Sequence, residues 1–323
     1  MAIGRKEKIP IGWQLVEKKK YHARLKRMHR YLPLTAAAVL LGMAPTAIPS
    51  ASASSLSIVD LSTELQYSGD HNASPGAQSL LDGIESATKN IRAVTILERG
   101  KIVMSYVRDD IDASDTYSIY SATKSIMSVM VGMLIDEGKL SLDDTLGAVF
   151  DNSTVWDNVG EAEYIQSVTI DEILTMTSGL VNPSLTSEAY SNVDWEDPTS
   201  YIENLGVVHN YGGANLIDSL SYLEVKESGR GNFDYILMSQ ILSYVVLERS
   251  GLTPMEFATE RIFPLIGIDP EAIEWDENEE GVQHSFSGLR LNPDQMARFG
   301  QLILQRGLAG PDMRVVSEFR GIC

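Results

Sequence analysis

Tyr117-Ser-Ile-Tyr-Ser121-Ala-Thr-Lys124-Ser-Ile-Met-Ser-Val-Met-Val-Gly-Met-Leu-Ile-Asp-Glu-Gly138 is the stretch around which the chain is organised. Between Ala122 and Glu137 it predicts a helix with apolar side chains on nearly every face, among them Ile126, Met127, Val129, Met130, Val131, Met133, Leu134 and Ile135. A helix apolar all round is a buried central helix. Gly138 suits the position just past its end. Ser121 stands at the N-terminus, and Lys124, three residues on, shares its face. A hydroxyl in that place meets unpaired backbone N–H groups and the positive end of the helix dipole. An amine lies within reach to take its proton, which is how an acyl-transfer nucleophile is assembled.

The tetrapeptide Ser-Ala-Thr-Lys occurs a second time, from Ser86 to Lys89. There it closes a helix predicted to start at Ser74 (N-cap) and Pro75 (first turn), with Leu80, Leu81 and Ile84 facing inward. At a helix C-terminus the free groups are carbonyls and the dipole repels an oxyanion, so Ser86 and Lys89 read as surface residues.

Outward from the central helix, Ile91–Leu97 and Lys101–Val107 read as two strands of a hairpin joined at Glu98-Arg99-Gly100. A loop with Asp109, Asp110, Asp112 and Asp115 follows and reads as a solvated turn. After Gly138, Lys139–Leu146 leads into a short helix, and Ile170–Gly179 reads as a helix closed by Gly179. Residues 181–231 are long, polar and irregular, as expected of a functional loop or pocket wall that could hide short helices. Further helices are expected over Ile236–Ser250, from Thr253 with Pro254 in its first turn, and from Asn292 (cap) through Gln305, stopped by Gly307. Residues 54–73 are polar and Ser-rich, with no clear pattern, and the acidic run Trp275–Glu280 reads as a solvated loop.

The 323 residues carry a net charge of −18, unevenly placed. Residues 1–30 hold ten Lys and Arg against two Glu, leaving the remainder at about −26. An acidic body argues against nucleic acid or an anionic membrane as the main partner. The basic start is followed by an apolar run, Leu32–Met43, and by small residues ending in Ala51-Ser-Ala53. This is the pattern of an export signal, with residues 1–53 as the leader and Ser54 as mature start. It is too short and Pro-broken for a stable membrane span in the mature chain, and an organellar transit peptide or an anchor over residues 32–48 is the alternative. The single cysteine, Cys323, permits no internal disulfide, and the five histidines show no metal-ligand spacing, so neither a metal nor another cofactor is expected. Asn72 and Asn152 stand in glycosylation sequons, relevant only on a eukaryotic secretory route.

Taken in order, several blocks resemble one family, the serine hydrolases related to class C β-lactamases, which include DD-peptidases, esterases and 6-aminohexanoate-dimer hydrolases. They are the hairpin with Gly100-Lys101, Ser121-x-x-Lys124 with Leu134–Leu140, Asp143-Asp144, and Ile173–Leu180. Phe233-Asp-Tyr235 with Leu247–Gly251, and Ser287-Gly-Leu-Arg290 with Met296–Leu302, complete the set. The resemblance runs from about residue 75 to the end and implies an α+β, β-lactamase/transpeptidase-like fold, an antiparallel sheet flanked by helices plus an all-helical lobe. Residues 54–323 would form one catalytic domain, with the helical lobe at about 121–250 and a partial α/β lobe from about 75–120 and 251–323.

The resemblance also implies Ser121 as nucleophile, Lys124 as its base, and Tyr235 as the group that works with Lys124 and protonates the leaving group. Physically, an ammonium near a phenol and a serine lowers the cost of making either anion. Three departures stand out. The box that usually reads Tyr-x-Asn or Tyr-x-Ser has Leu237 at its third place, which cannot hydrogen-bond the lysine. Met176 stands where His is common. The last box, a strand carrying a Lys/His-x-Gly triplet and the second oxyanion donor, is not found before Cys323, nor are the neighbouring strands and closing helix. A lost oxyanion donor costs about 10²–10³ in turnover, and lost strands would leave the hairpin with an open edge.

The expected function is hydrolysis of a carboxylic ester or amide through acyl-Ser121. The alternative is a catalytically impaired or truncated relative that at most binds ligand in the pocket. A Ser-His-Asp hydrolase is disfavoured, because no G-x-S-x-G elbow exists and neither His209 nor His284, which reads as a loop residue, sits in a motif. Substrate and oligomeric state are not readable.

Overall fold

The computed structural model describes residues 58–87, 91–181, 215–226, 229–233, 235 and 240–317. The leader, most of the irregular stretch after Val181, Leu237 and Glu318–Cys323 lie outside these. The first helix, α1 (Pro75–Ala87), starts as expected, with Ser74 Oγ accepting the Ala77 N–H at 3.1 Å. Among its described side chains only Ile84 is buried, and Leu80 is exposed, so its apolar face is narrower than the sequence suggested.

Next come β1 (Ala93–Glu98) and β2 (Lys101–Val107), an antiparallel hairpin closed by Arg99 and Gly100, both at positive φ. Two left-handed residues give the turn whose twist matches the strands. The Asp-bearing loop after it is exposed. There Asp112 accepts from the Ser114 N–H and hydroxyl, which hold its carboxyl below the usual range.

A two-residue strand, β3 (Tyr117–Ser118), and a 3₁₀ turn over Tyr120–Ala122 lead into the central helix, α2 (Thr123–Asp136). Val129, Met130 and Val131 are consecutive and all fully buried, which is possible only for a helix covered on every side. Its end is a Schellman motif. The Gly138 N–H donates to Ile135 and the Lys139 N–H to Leu134, both at 2.9 Å, with Gly138 at φ +66°.

Four short helices follow: α3 (Leu146–Val149), α4 (Ala162–Gln166), α5 (Ile170–Leu174) and, after β4 (Leu180–Val181), α6 (Leu216–Ser221). The helix α5 carries a Thr169/Glu172 capping box and ends at Leu174, five residues ahead of the expected stop. Gly179 instead lies in the following loop, where a Cβ would come within 2.6 Å of the Gly229 backbone. β4 pairs with β5 (Glu224–Val225).

The longer helices α7 (Gln240–Ser250) and α8 (Pro254–Arg261) pack against α2. Beyond them, β6 (Glu274–Trp275) and β7 (Leu289–Leu291) join β3 in a three-stranded antiparallel sheet of order β3-β7-β6. The acidic run from Trp275 is an irregular loop with Glu277, Glu279 and Glu280 exposed, as expected, but it is anchored at its start. Its first residue is a buried strand residue, and Tyr244 on α7 donates to Glu280 while accepting from Asn278. Burial and the neighbouring Glu280 carboxylate push the Tyr244 phenol above its ordinary pKa. Helix α9 (Pro293–Leu304), capped by an Asn292/Gln295 box, crosses β1, and a small hairpin of β8 (Leu308–Gly310) and β9 (Met313–Arg314) follows. Arg306 and Gly307, both left-handed, close α9, with the Arg306 N–H donating to Ile303 and the Gly307 N–H to Leu302, so the glycine lies in the stop where it was expected.

The stretch before α1 had no readable pattern because its partners are remote. Gln305 binds both backbone groups of Val59, Leu61 N–H donates to Ala309, and the buried Arg298 guanidinium, paired with Asp294, donates to the carbonyls of Leu61 and Thr63. Further on, Gln66 and Ser68 bracket Ile102, and the Asn72 amide exchanges both hydrogen bonds with Ser105. This strap covers the outer edge of β2, so the Asn72 amide is committed to the fold, whereas Asn152 is exposed. Among the described residues β1 has a strand neighbour only on its β2 side.

Candidate active site

Pairing of β3 with β7 fixes the approach to Ser121. Tyr117 faces Leu291, Ser118 faces Arg290, and the Ile119 N–H donates to Leu289 at 2.9 Å. Tyr120 then adopts φ +47°, a conformation that non-glycine residues reach at some cost, and this kink places Ser121 exposed on the 3₁₀ turn ahead of α2. One turn in, Lys124 is only 7% exposed. Its Nζ lies 3.2 Å from Ser121 Oγ and 3.0 Å from the Phe286 carbonyl oxygen.

Tyr235 lies near the same amine. Lys124 Nζ sits 5.2 Å from the centroid of its ring, within cation–π range, and the ring itself is more than half exposed. The three residues predicted from sequence are thus brought together. Ser86 is not part of this cluster: it is exposed on the last turn of α1, with Oγ donating to the Gly83 carbonyl at 3.1 Å. Met176 is half-buried at φ +56°, beyond the end of α5.

Two features of the cluster were missed from sequence. The Phe286 carbonyl is a backbone group, for which no residue type is diagnostic. His284, read as a loop residue, does lie between β6 and β7 but is fully buried, with its ring 5.2 Å from that of Phe286 and its carbonyl accepting from Trp275 Nε1 at 2.8 Å. Gly288, in the Ser287-Gly288-Leu289-Arg290 block, has a steric reason to be glycine. It stands at φ +88°, and a Cβ would lie 2.7 Å from Asp276 Cβ.

An amine held against a hydroxyl can accept its proton and return it, and the exposed Oγ can reach a carbonyl carbon. Among the described residues, no cluster of His, Cys, Asp or Glu is arranged to hold a metal ion, and no helix is long and apolar enough to cross a membrane.

The architecture, short antiparallel strands with helices against them and a Ser–Lys pair at the head of a buried helix, is the β-lactamase/transpeptidase-like α+β fold. The chain belongs to the Beta-lactamase family, whose sequence model matches residues 84–318. A 6-aminohexanoate-dimer hydrolase of Paenarthrobacter ureafaciens is 22% identical over 241 residues, 70% of this chain and 55% of that protein. A Bacillus anthracis structure provisionally assigned the same activity matches with TM-score 0.54 and 19% identity, over 75% of this chain and 59% of the other. A Bacteroides dorei structure provisionally assigned as a β-lactamase matches with TM-score 0.53 and 15% identity, over 77% and 68%. The chain spans about half the length of the curated relative it matches.

Proposed function

We propose that the protein is a serine hydrolase that cleaves a carboxylic ester or amide through an acyl-enzyme on Ser121. The observation that carries this reading is the 3.2 Å contact between Lys124 Nζ and Ser121 Oγ, with the amine buried and the hydroxyl exposed. As Oγ attacks the substrate carbonyl carbon, its proton passes to Lys124. The tetrahedral intermediate collapses when the C–O or C–N bond breaks, and the leaving alcohol or amine takes a proton through Tyr235. Water then attacks the acyl carbon, gives its proton to the same pair, and releases the carboxylic acid and Ser121.

Membership of the Beta-lactamase family and similarity to a 6-aminohexanoate-dimer hydrolase support this reading. Within it, an ester is the favoured substrate, because an activated ester demands least of the oxyanion hole. The basic and apolar leader favours an exported protein.

The test is intact mass of the chain from Ser54 after incubation with a fluorophosphonate, beside Ser121→Ala and Ser86→Ala. One adduct that requires Ser121 and not Ser86 is expected. A folded chain that gains no adduct would overturn the reading in favour of a pocket that binds without chemistry. Turnover of a β-lactam or D-amino peptide with no ester hydrolysis would overturn the ester preference alone.

A further inference from the structure

We propose that Gln240 and Ser243 are positioning residues for Lys124, acting through the segment 283–286, whose Phe286 carbonyl holds the amine beside Ser121. The proposal rests on the reading of Ser121 and Lys124 as nucleophile and base. An amine that takes the Ser121 proton must aim its lone pair at Oγ, so its own N–H bonds need fixed acceptors elsewhere. Leu237 offers none. The Phe286 carbonyl, 3.0 Å from Nζ, does.

That carbonyl belongs to a stretch between β6 and β7 that carries an isolated antiparallel bridge, Glu277–Gln283, rather than a continuous ladder. Its backbone is pinned from outside. Ser243 Oγ donates to the Gln283 carbonyl at 2.7 Å, with Gln240 Nε2 at the limit of reach, 3.5 Å from the same oxygen. Gln240 Oε1 accepts the Ser285 N–H at 3.2 Å. Trp275 Nε1 donates to the His284 carbonyl, and the His284 N–H donates to Asp276 at 2.9 Å.

Gln240 and Ser243 are one turn apart on α7, 4% and 0% exposed, on a stretch whose other buried residues are Ile241, Leu242, Tyr244, Val245 and Val246. A buried amide and hydroxyl cost stability unless hydrogen-bonded, and here their bonds go to the segment that faces Lys124. The same helix packs against α2, which bears Lys124, so amine and carbonyl are fixed to one pair of packed helices.

The experiment is fluorophosphonate labelling kinetics of the full chain, with the maximal rate kinact resolved from the binding constant KI, for native, Gln240→Leu, Ser243→Ala and Ile241→Val. Gln240→Leu keeps side-chain bulk and removes both hydrogen bonds. It is expected to lower kinact about 10-fold or more with KI within about twofold, because slight misplacement of a reacting group is costly while binding is untouched. Ser243→Ala should fall in the same direction. Ile241→Val, a core change on the same helix, should lower the melting temperature without moving kinact.

A folded Gln240→Leu with native kinact overturns the proposal, as does a loss in kinact matched by Ile241→Val at equal destabilisation. If Gln240→Leu does not fold, Ser243→Ala decides by the same criteria. A native chain that is never labelled at Ser121 overturns the proposed function first and this inference with it, which separates the two failures.

Discussion

Two serines introduce the same tetrapeptide in this chain, one in the last turn of α1 and one ahead of the first turn of α2. Ser86 bonds back to the Gly83 carbonyl on its own helix and faces solvent. Ser121 faces a buried amine that approaches from the turn that follows it. The helices differ as much as the serines. Among the described side chains of α1 Ile84 alone is buried, whereas α2 buries Val129, Met130 and Val131 together. Helix polarity and burial, more than the four letters, separate a surface serine from a candidate nucleophile.

The contrast breaks if Ser86 and Ser121 respond alike. Lys124→Met should slow fluorophosphonate labelling of Ser121 by about 10²–10⁴, the span of general-base catalysis, and a rate within threefold of native would remove Lys124 from the mechanism. The two helices can be set against each other by urea unfolding. Met130→Ala, at a fully buried site, should cost about 2–5 kcal/mol, while Leu80→Ala on exposed α1 should stay within about 0.5 kcal/mol. Equal losses would mean that α1 is held far more tightly than its burial implies.

The helix ends sharpen the comparison further. Gly138→Ala places a side chain at φ +66° on the Schellman turn of α2 and should cost about 1 kcal/mol or somewhat more, read as a lower urea midpoint with an unchanged slope. Ser74→Ala removes the hydroxyl cap of α1 and should cost about 1 kcal/mol at most in the same assay. A silent Ser74→Ala would show that the start of α1 frays in the folded protein.

Much of the fold was legible because its signals are local. An apolar run long enough to bury a helix, a Ser-Pro start, a Thr-Pro start and a glycine-bearing hairpin turn each report on neighbouring backbone. The misreadings share the opposite cause. Gly179 looks like a helix stop, yet it accommodates the loop at Gly229, a contact made by distant chain. Trp275, read as part of a solvated loop, is a buried strand residue because it pairs with Leu289 and bonds the His284 carbonyl, partners that lie further along the chain.

The sequence by itself determined the candidate nucleophile and its amine, since three residues of helix set their spacing whatever surrounds them. It also named Tyr235, through a resemblance rather than through geometry. Only the tertiary structure decided that the Tyr235 ring lies near Lys124, that a strap over residues 66–72 covers β2, and that the Phe286 carbonyl accepts from Lys124. A carbonyl is present on every residue, so its use as a partner is written in no side chain and emerges only when α2, α7 and the segment before β7 pack together.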